Sequence, residues 1–282
     1  MARTLFCFGY GFSARALGAR MLTDGGRVIA TARDATKAEA LRDEGVEAHE
    51  WPLPDLSMLP EGASVLVSAP PGPEGDPVLA RHAAALPGRG IGWLGYLSTT
   101  AVYGDHGGGE VDEDTPATPG SARGRARLDA ENDWLALVPA VPVHVFRLAG
   151  IYGPGRGPLE KVREADARRI VKPGQVFGRI HREDIADACL ASMARPDPGA
   201  IYNLTDDHTC PPEEALAYAA RIQDLPVPPL VPFEEADLSP MARSFYAECK
   251  RVSNEKAKRA LGWVPRYPSY REGFAADLEA RG

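Results

Sequence analysis

The chain has 282 residues, 44% of them hydrophobic, enough to bury a full core and to form one large or two unequal domains. Its net charge of -7, with lysines and arginines dispersed, argues against a nucleic-acid or anionic-membrane surface, which needs concentrated positive charge. The apolar run before Gly9, Leu5 to Phe8, is only four residues long and no later run approaches a membrane span, so a cytoplasmic protein is expected. Cys7, Cys189, Cys210 and Cys249 lie far apart, which suits reduced thiols, and neither they nor the six histidines show metal-ligand spacing.

In chain order, Thr4 to Phe8 reads as a strand that stops at Gly9-Tyr10-Gly11, and helical spacing begins near Ser13. Strand, tight turn and helix in this order read as a phosphate-binding unit, with a purely structural glycine turn as the alternative. Gly9 permits the reversal, Gly11 lets backbone approach a pyrophosphate, and small Ala14 lets helix pack on strand, while Phe12 and Ser13 open the helix toward the anion. A second strand, Arg27 to Thr31, follows about 20 residues later. An NAD-selective site places an acid at its end to hold the ribose 2′-hydroxyl; Thr31-Ala32-Arg33 stands there instead. With no acid to repel a 2′-phosphate and Arg33 available to pair with one, NADP is the expected cofactor and NAD the less favoured one, although an arginine at a strand end is also an ordinary solvated residue.

Asp34 caps an expected helix from Ala35 to Glu44, and Val46 to Trp51, Ser64 to Ser68 and Ile91 to Leu97 read as strands, with a helix from Pro77 to Leu86 between the last two. A helix from Ser121 to Leu137 and a strand from Val143 to Leu148 continue the alternation. The pattern predicts an α/β doubly wound parallel sheet over residues 1–152, with ligand outside the strands' carboxyl ends. Residues 153–282 are richer in proline and loops, with helices near 182–194, 212–222, 253–261 and 270–280. They read as a smaller substrate lobe, in which segments near 180–205 are candidates to return to the main sheet through Ile201 to Leu204.

Five segments carry more specific information: Ser98-Thr99-Thr100-Ala101-Val102-Tyr103-Gly104, then Glu113-Asp114-Thr115-Pro116, then Arg147 to Gly155, then His181-Arg182-Glu183-Asp184-Ile185-Ala186-Asp187-Ala188, and Leu261-Gly262-Trp263-Val264-Pro265. In this order they resemble the extended short-chain dehydrogenase/reductases, the NAD(P)-dependent epimerase/dehydratase family, over nearly the whole chain. The resemblance implies a Rossmann domain with a small C-terminal substrate lobe, a small-molecule substrate that is often a nucleotide sugar, and a homodimer formed through two helices of the main sheet. It places Thr99 on the family's catalytic Ser/Thr, whose hydroxyl bonds the reacting oxygen. It sets Ala69 and Pro70 beside the adenine ribose, and Ala149 to Ile151 beside the nicotinamide.

One departure stands out. The family's YxxxK pair, counted back from Leu128 and Glu131, falls on Arg123 and Arg127. A guanidinium stays protonated and cannot cycle a proton, though two of them can bind a carboxylate or phosphate of a substrate. The sequence thus resembles the atypical subgroup that lacks the pair, and the substitute proton donors nearest Thr99 in sequence are Tyr103 and His106. His106 opens a loop, Gly107-Gly108-Gly109, suited to closing over substrate. A literal YxxxK occurs at Tyr246 and Lys250, where i,i+4 spacing on a helix sets both on one face; packing is its default reading. Two functions remain open: an NADP-dependent oxidoreductase, epimerase or dehydratase with an unusual proton donor, or a protein that has kept NADP without turnover as a redox sensor.

Overall fold

The computed structural model describes residues 3–281. Its strands are β1 (Thr4–Phe8), β2 (Arg27–Ala32), β3 (Glu47–Glu50), β4 (Ser64–Val67), β5 (Trp93–Thr99), β6 (Glu110–Val111), β7 (Val143–Leu148), β8 (Gly150–Tyr152), β9 (Arg169–Val171), β10 (Arg179–His181), β11 (Ile201–Leu204), β12 (Leu230–Pro232) and β13 (Arg251–Val252). Its helices are α1 (Phe12–Thr23), α2 (Ala35–Asp43), α3 (Pro77–His82), α4 (Ala122–Leu135), α5 (Pro158–Lys161), α6 (Arg182–Ala194), α7 (Pro212–Arg221), α8 (Pro240–Phe245), α9 (Glu255–Leu261) and α10 (Tyr270–Glu279).

Seven strands form one sheet in the order β11-β7-β5-β4-β1-β2-β3, and β5–β4, β4–β1, β1–β2 and β2–β3 all pair in parallel. The order is that of a Rossmann-type doubly wound fold. From β1 the chain winds outward to β3, then crosses back to β4 and winds the other way, so the switch point lies between β1 and β4. Strands buried on both faces read as nearly continuous apolar runs, as in Leu5 to Phe8 and Val65 to Val67.

By its contacts the chain divides into two compact units that interleave: residues 1–99, 125–147 and 185–202 form the first, and 100–124, 148–184 and 203–282 the second. A single boundary near residue 152 therefore does not describe it. Three excursions leave the first unit at the ends of sheet strands, and strand ends in this fold are where connections are free to lengthen. Strand β11 does return to the main sheet.

The first unit's core joins Phe6, Phe8, Ile29, Val65, Leu94, Val143 and Trp134, all nearly inaccessible. Its helices start where polar side chains satisfy their first N–H groups. The Asp34 carboxylate accepts from the Lys37 amide at 2.8 Å to begin α2, and Asp76 accepts from Val78 and Leu79 to begin α3, with its other oxygen taking the Trp134 indole N–H at 3.0 Å. The second unit has its own cores, one around Tyr152, Leu216, Tyr270 and Phe274 and another around Ile170, Ala236 and Tyr246. No described helix is long and apolar enough to cross a membrane.

Candidate active site

At the switch point of the first unit, Gly9 has φ +80°, a left-handed conformation that only glycine adopts cheaply. A Cβ there would also lie 3.1 Å from the Ala69 amide nitrogen at the end of β4. The Gly9 N–H donates to the Thr31 hydroxyl at 2.8 Å, and the Ala69 N–H donates to the Phe8 carbonyl at 3.0 Å. The glycine turn, the end of β2 and the end of β4 are thereby tied together. Thr31 accepts from this turn and so shapes the site through Gly9, while its own hydroxyl hydrogen remains a donor.

Gly11 is the N-cap of α1 in ordinary extended conformation, φ -91° and ψ -162°, and nothing lies within 4 Å of where its Cβ would be. No side chain caps α1 and no acid stands in its first turn. A twelve-residue helix with an uncapped, acid-free start beside open space is a ready anion site. Ala14 is fully buried, Ser13 nearly so and Phe12 half-buried. These residues fit a pyrophosphate. Arg33 is exposed just past β2, and the nearest acid, Asp34, has its carboxylate engaged in capping α2. Ala69 is half-buried and Pro70 exposed.

Thr99 ends β5 and is half-buried. The residues before it are held from two sides. Arg127 donates to the Leu97 carbonyl at 2.6 Å and to the Tyr96 hydroxyl at 3.3 Å, and the Ser98 hydroxyl donates to Glu131. Glu131 is in turn gripped by Arg147 through Nε at 3.1 Å and Nη2 at 2.8 Å, with Ser98, Glu131 and Arg147 all at most 5% exposed. Arg127, expected to bind substrate, thus commits one nitrogen to the strand. Burial pushes the Tyr96 phenol up to about 12, against the pull of the Arg127 charge, so it remains protonated. Sequence reasoning used Glu131 only as a spacing mark and missed the network, because its members stand on β5, α4 and β7.

Within the second unit, Tyr103 is fully buried and its hydroxyl donates to the Asn203 side-chain oxygen at 2.7 Å. That is a packing position, which removes Tyr103 from the candidate proton donors. His106 is half-buried, with Nε2 3.1 Å from the Tyr103 carbonyl. Its loop is strapped down rather than free to close. The Cys249 carbonyl accepts from the amides of His106 and Gly108 at 3.0 and 2.9 Å, the Asp105 carboxylate accepts from the Cys249 amide at 2.7 Å, and β6 pairs with β13. Lys250 belongs to the same strap. Its ammonium donates to the Gly104 carbonyl at 2.6 Å and pairs with Glu248 at 2.7 Å, while α8 ends at Phe245, so Tyr246 and Lys250 do not share a helix face. Arg123 is exposed near the start of α4. Ala149 is buried and donates its N–H to the Leu204 carbonyl at 3.0 Å, and half-buried Ile151 pairs with Ile180 across β8 and β10.

Asp206, just past β11, was not singled out by sequence. Its side chain is buried, one oxygen accepts from the His208 amide at 3.3 Å, and the other has no partner. Burial raises its pKa from the ordinary 3.8 to about 8, with the Arg179 charge opposing. Because the folded state holds this proton more tightly than the unfolded one, stability falls as pH rises from about 4 to about 8. Asp206→Asn is expected to flatten that decline in urea melts between pH 5 and 8.5, leaving the variant more stable than the parent at the alkaline end; parallel curves would place the titration elsewhere.

A doubly wound sheet with an open glycine turn at its switch point defines the Rossmann fold. No family model matches the chain. A structure of a functionally unknown conserved protein from Silicibacter pomeroyi DSS is 52% identical, with a TM-score of 0.93 and 99% of both chains covered. UDP-glucuronic acid 4-epimerase from Bacillus cereus, in complex with NAD, shares the fold at 15% identity, with a TM-score of 0.75 over 98% of this chain and 97% of that one. A 3-diazoavenalumate denitrifying reductase of Streptomyces sp. is 27% identical over 186 residues, covering 59% of each chain. The matches span 38% to 62% of the length of the curated relatives. The chain shares the Rossmann-type α/β fold of the epimerase structure, and its 52% likeness to the Silicibacter pomeroyi protein runs over the full length.

Proposed function

We propose that the protein is an NADP(H)-dependent enzyme of oxidoreductase, epimerase or dehydratase type, acting on a small carbonyl compound or nucleotide-sugar-like substrate. The observation that carries this reading is the open space at Gly11 beside the uncapped start of α1, at the carboxyl ends of β1 and β4. Bound there, a nicotinamide dinucleotide supplies or accepts a hydride. The chain's own part is to hold and polarise. The first-turn amides of α1 hold the pyrophosphate, Ala69 and Pro70 border the adenine ribose, and Arg33 pairs with a 2′-phosphate. Thr99 donates its hydroxyl hydrogen to the reacting oxygen of the substrate, on a strand end that Arg127, Glu131 and Arg147 fix in place. Ala149 and Ile151 keep the nicotinamide-side role, and Arg123 a substrate-anion role, that the family resemblance implies.

Neither Arg123 nor Arg127 can act as the proton-cycling tyrosine, and Tyr103 is sealed in packing. This favours as second reading a protein that binds NADP without turnover. One experiment separates the two: NADPH and NADH titrations followed by fluorescence, with oxidation of the reduced cofactor monitored over a panel of carbonyl compounds and nucleotide sugars. Tight binding with turnover supports the enzyme, and tight binding without it supports the sensor.

Arg33→Ala tests cofactor choice. A charge-assisted hydrogen bond to a 2′-phosphate is worth about 1.5–3 kcal/mol, so NADPH affinity is expected to drop roughly 10- to 100-fold while NADH affinity changes little. Equal loss for both cofactors removes the 2′-phosphate role.

A further inference from the structure

The second unit holds a cavity of about 270 Å³ that the proposed hydride chemistry does not use. One wall is a face of α7, where Glu213, Ala217 and Arg221 follow at i, i+4 and i+8. Small Ala217 leaves room between the two charges. Tyr218, Tyr270, Arg169 and Arg271 complete the lining, with Glu214, Arg221 and Arg271 exposed at its mouth. The Arg271 guanidinium lies over the Tyr270 ring at 5.2 Å and the Tyr218 ring at 5.8 Å, and the two rings meet edge to face at 5.6 Å. Arg169 is fixed by its Nε bond to the Pro228 carbonyl at 2.7 Å.

The charges lining this cavity do not neutralise one another. Among the described residues no ion pair joins Arg169, Arg221 or Arg271 to Glu213 or Glu214, although all five line the same space. One Glu213 carboxylate oxygen is sealed from solvent and accepts no hydrogen bond. A carboxylate oxygen left that way costs free energy that a donor recovers, and the unspent guanidinium donors offer the opposite sign at the other end. Eight residues of helix rise roughly 12 Å, so one ligand meets both ends only if its own charges are several bonds apart.

We propose that this cavity binds a small extended zwitterion, its protonated amine on Glu213 and its carboxylate or phosphate on Arg221 and Arg271, with its chain lying over Ala217 alongside the tyrosine rings. The proposal does not depend on cofactor identity.

The test is calorimetric titration of the full chain with glycine, 4-aminobutyrate and 6-aminohexanoate, and with inorganic phosphate and n-hexylamine as single-charge controls. Affinity is expected to rise along the amino-acid series, with 6-aminohexanoate at least roughly tenfold tighter than glycine or either control. Glu213→Gln and Arg221→Gln should each remove at least tenfold of that affinity while NADPH affinity and the melting temperature stay at parental values. Phosphate binding as tightly as 6-aminohexanoate, with Glu213→Gln silent, overturns the proposal in favour of a simple anion site. Absence of heat from every zwitterion up to about 10 mM overturns it outright, and neither result bears on the hydride chemistry.

Discussion

Gly11→Asp is expected to abolish dinucleotide binding without unfolding the protein. At φ -91° and ψ -162°, aspartate adopts the Gly11 backbone conformation without strain, and its Cβ meets nothing within 4 Å. A carboxylate at the N-cap of α1 even favours the helix by about 0.3–1 kcal/mol, so the melting temperature should hold within roughly 2 °C or rise. The same carboxylate occupies the space assigned to the pyrophosphate and replaces it on the α1 amides. Two like charges about 4 Å apart near a protein surface repel by roughly 4 kcal/mol, and the pyrophosphate carries more than one. NADPH affinity should therefore fall by well over ~100-fold in a fluorescence titration. Gly9→Ala provides the contrast. Its φ of +80° and the Ala69 backbone 3.1 Å away force a structural change, so stability and binding should fall together, with about 1–2 kcal/mol from the left-handed conformation alone. A Gly11→Asp protein that binds NADPH like the parent places the pyrophosphate elsewhere.

What the sequence discloses at this site is local. Gly9, Gly11 and Ala14 lie within six residues, and their roles follow from one turn and one helix start. The strands and longer helices were legible for the same reason, with ends differing by a residue or two: β2 runs on to Ala32, and α4 stops at Leu135 short of Leu137. The helix expected from Pro77 to Leu86 ends at His82 and gives way to a tight 3-10 turn over Leu86–Arg89, since Pro87 and Gly88 cannot extend it.

What escaped the sequence is built from distant partners. The His106 loop looks mobile in sequence because it holds three glycines. In the fold, residues 246–253 arrive more than a hundred positions later and bond its backbone amide by amide. Tyr246 and Lys250 have helical spacing without a helix, because α8 has already ended. The interleaving of the two units is invisible for a related reason: composition changes once along the chain near Gly153, whereas the chain leaves the first unit three times. Asp206 has no local signature at all, since its raised pKa comes from burial that elements on either side create.

The Glu131–Arg147 pair yields the largest expected change in stability. Glu131 is 1% exposed and Arg147 5%, and two nitrogens of the Arg147 fork close on one Glu131 oxygen in a site that water barely reaches. Removing one partner leaves the other charge buried and alone, so Glu131→Ala and Arg147→Met should each lose about 3–5 kcal/mol in urea unfolding. Ser98→Ala removes only one donor from a carboxylate that Arg147 still satisfies, and about 1 kcal/mol is expected. The double variant Glu131→Met, Arg147→Met removes both charges and fills their volume, so it should lie closer to the parent than either single variant does. If instead the two single losses add, the charges act independently and the fork is not the unit of stability. The same series also reads on function. Ser98 directly precedes Thr99, and Arg127, one helical turn before Glu131, holds the Leu97 carbonyl, so slackening this network loosens the end of β5. The double variant should then keep parental NADPH affinity, which the glycine turn sets, while any turnover falls through kcat rather than KM. A double variant that is stable yet loses cofactor affinity would instead couple this buried pair directly to the glycine turn.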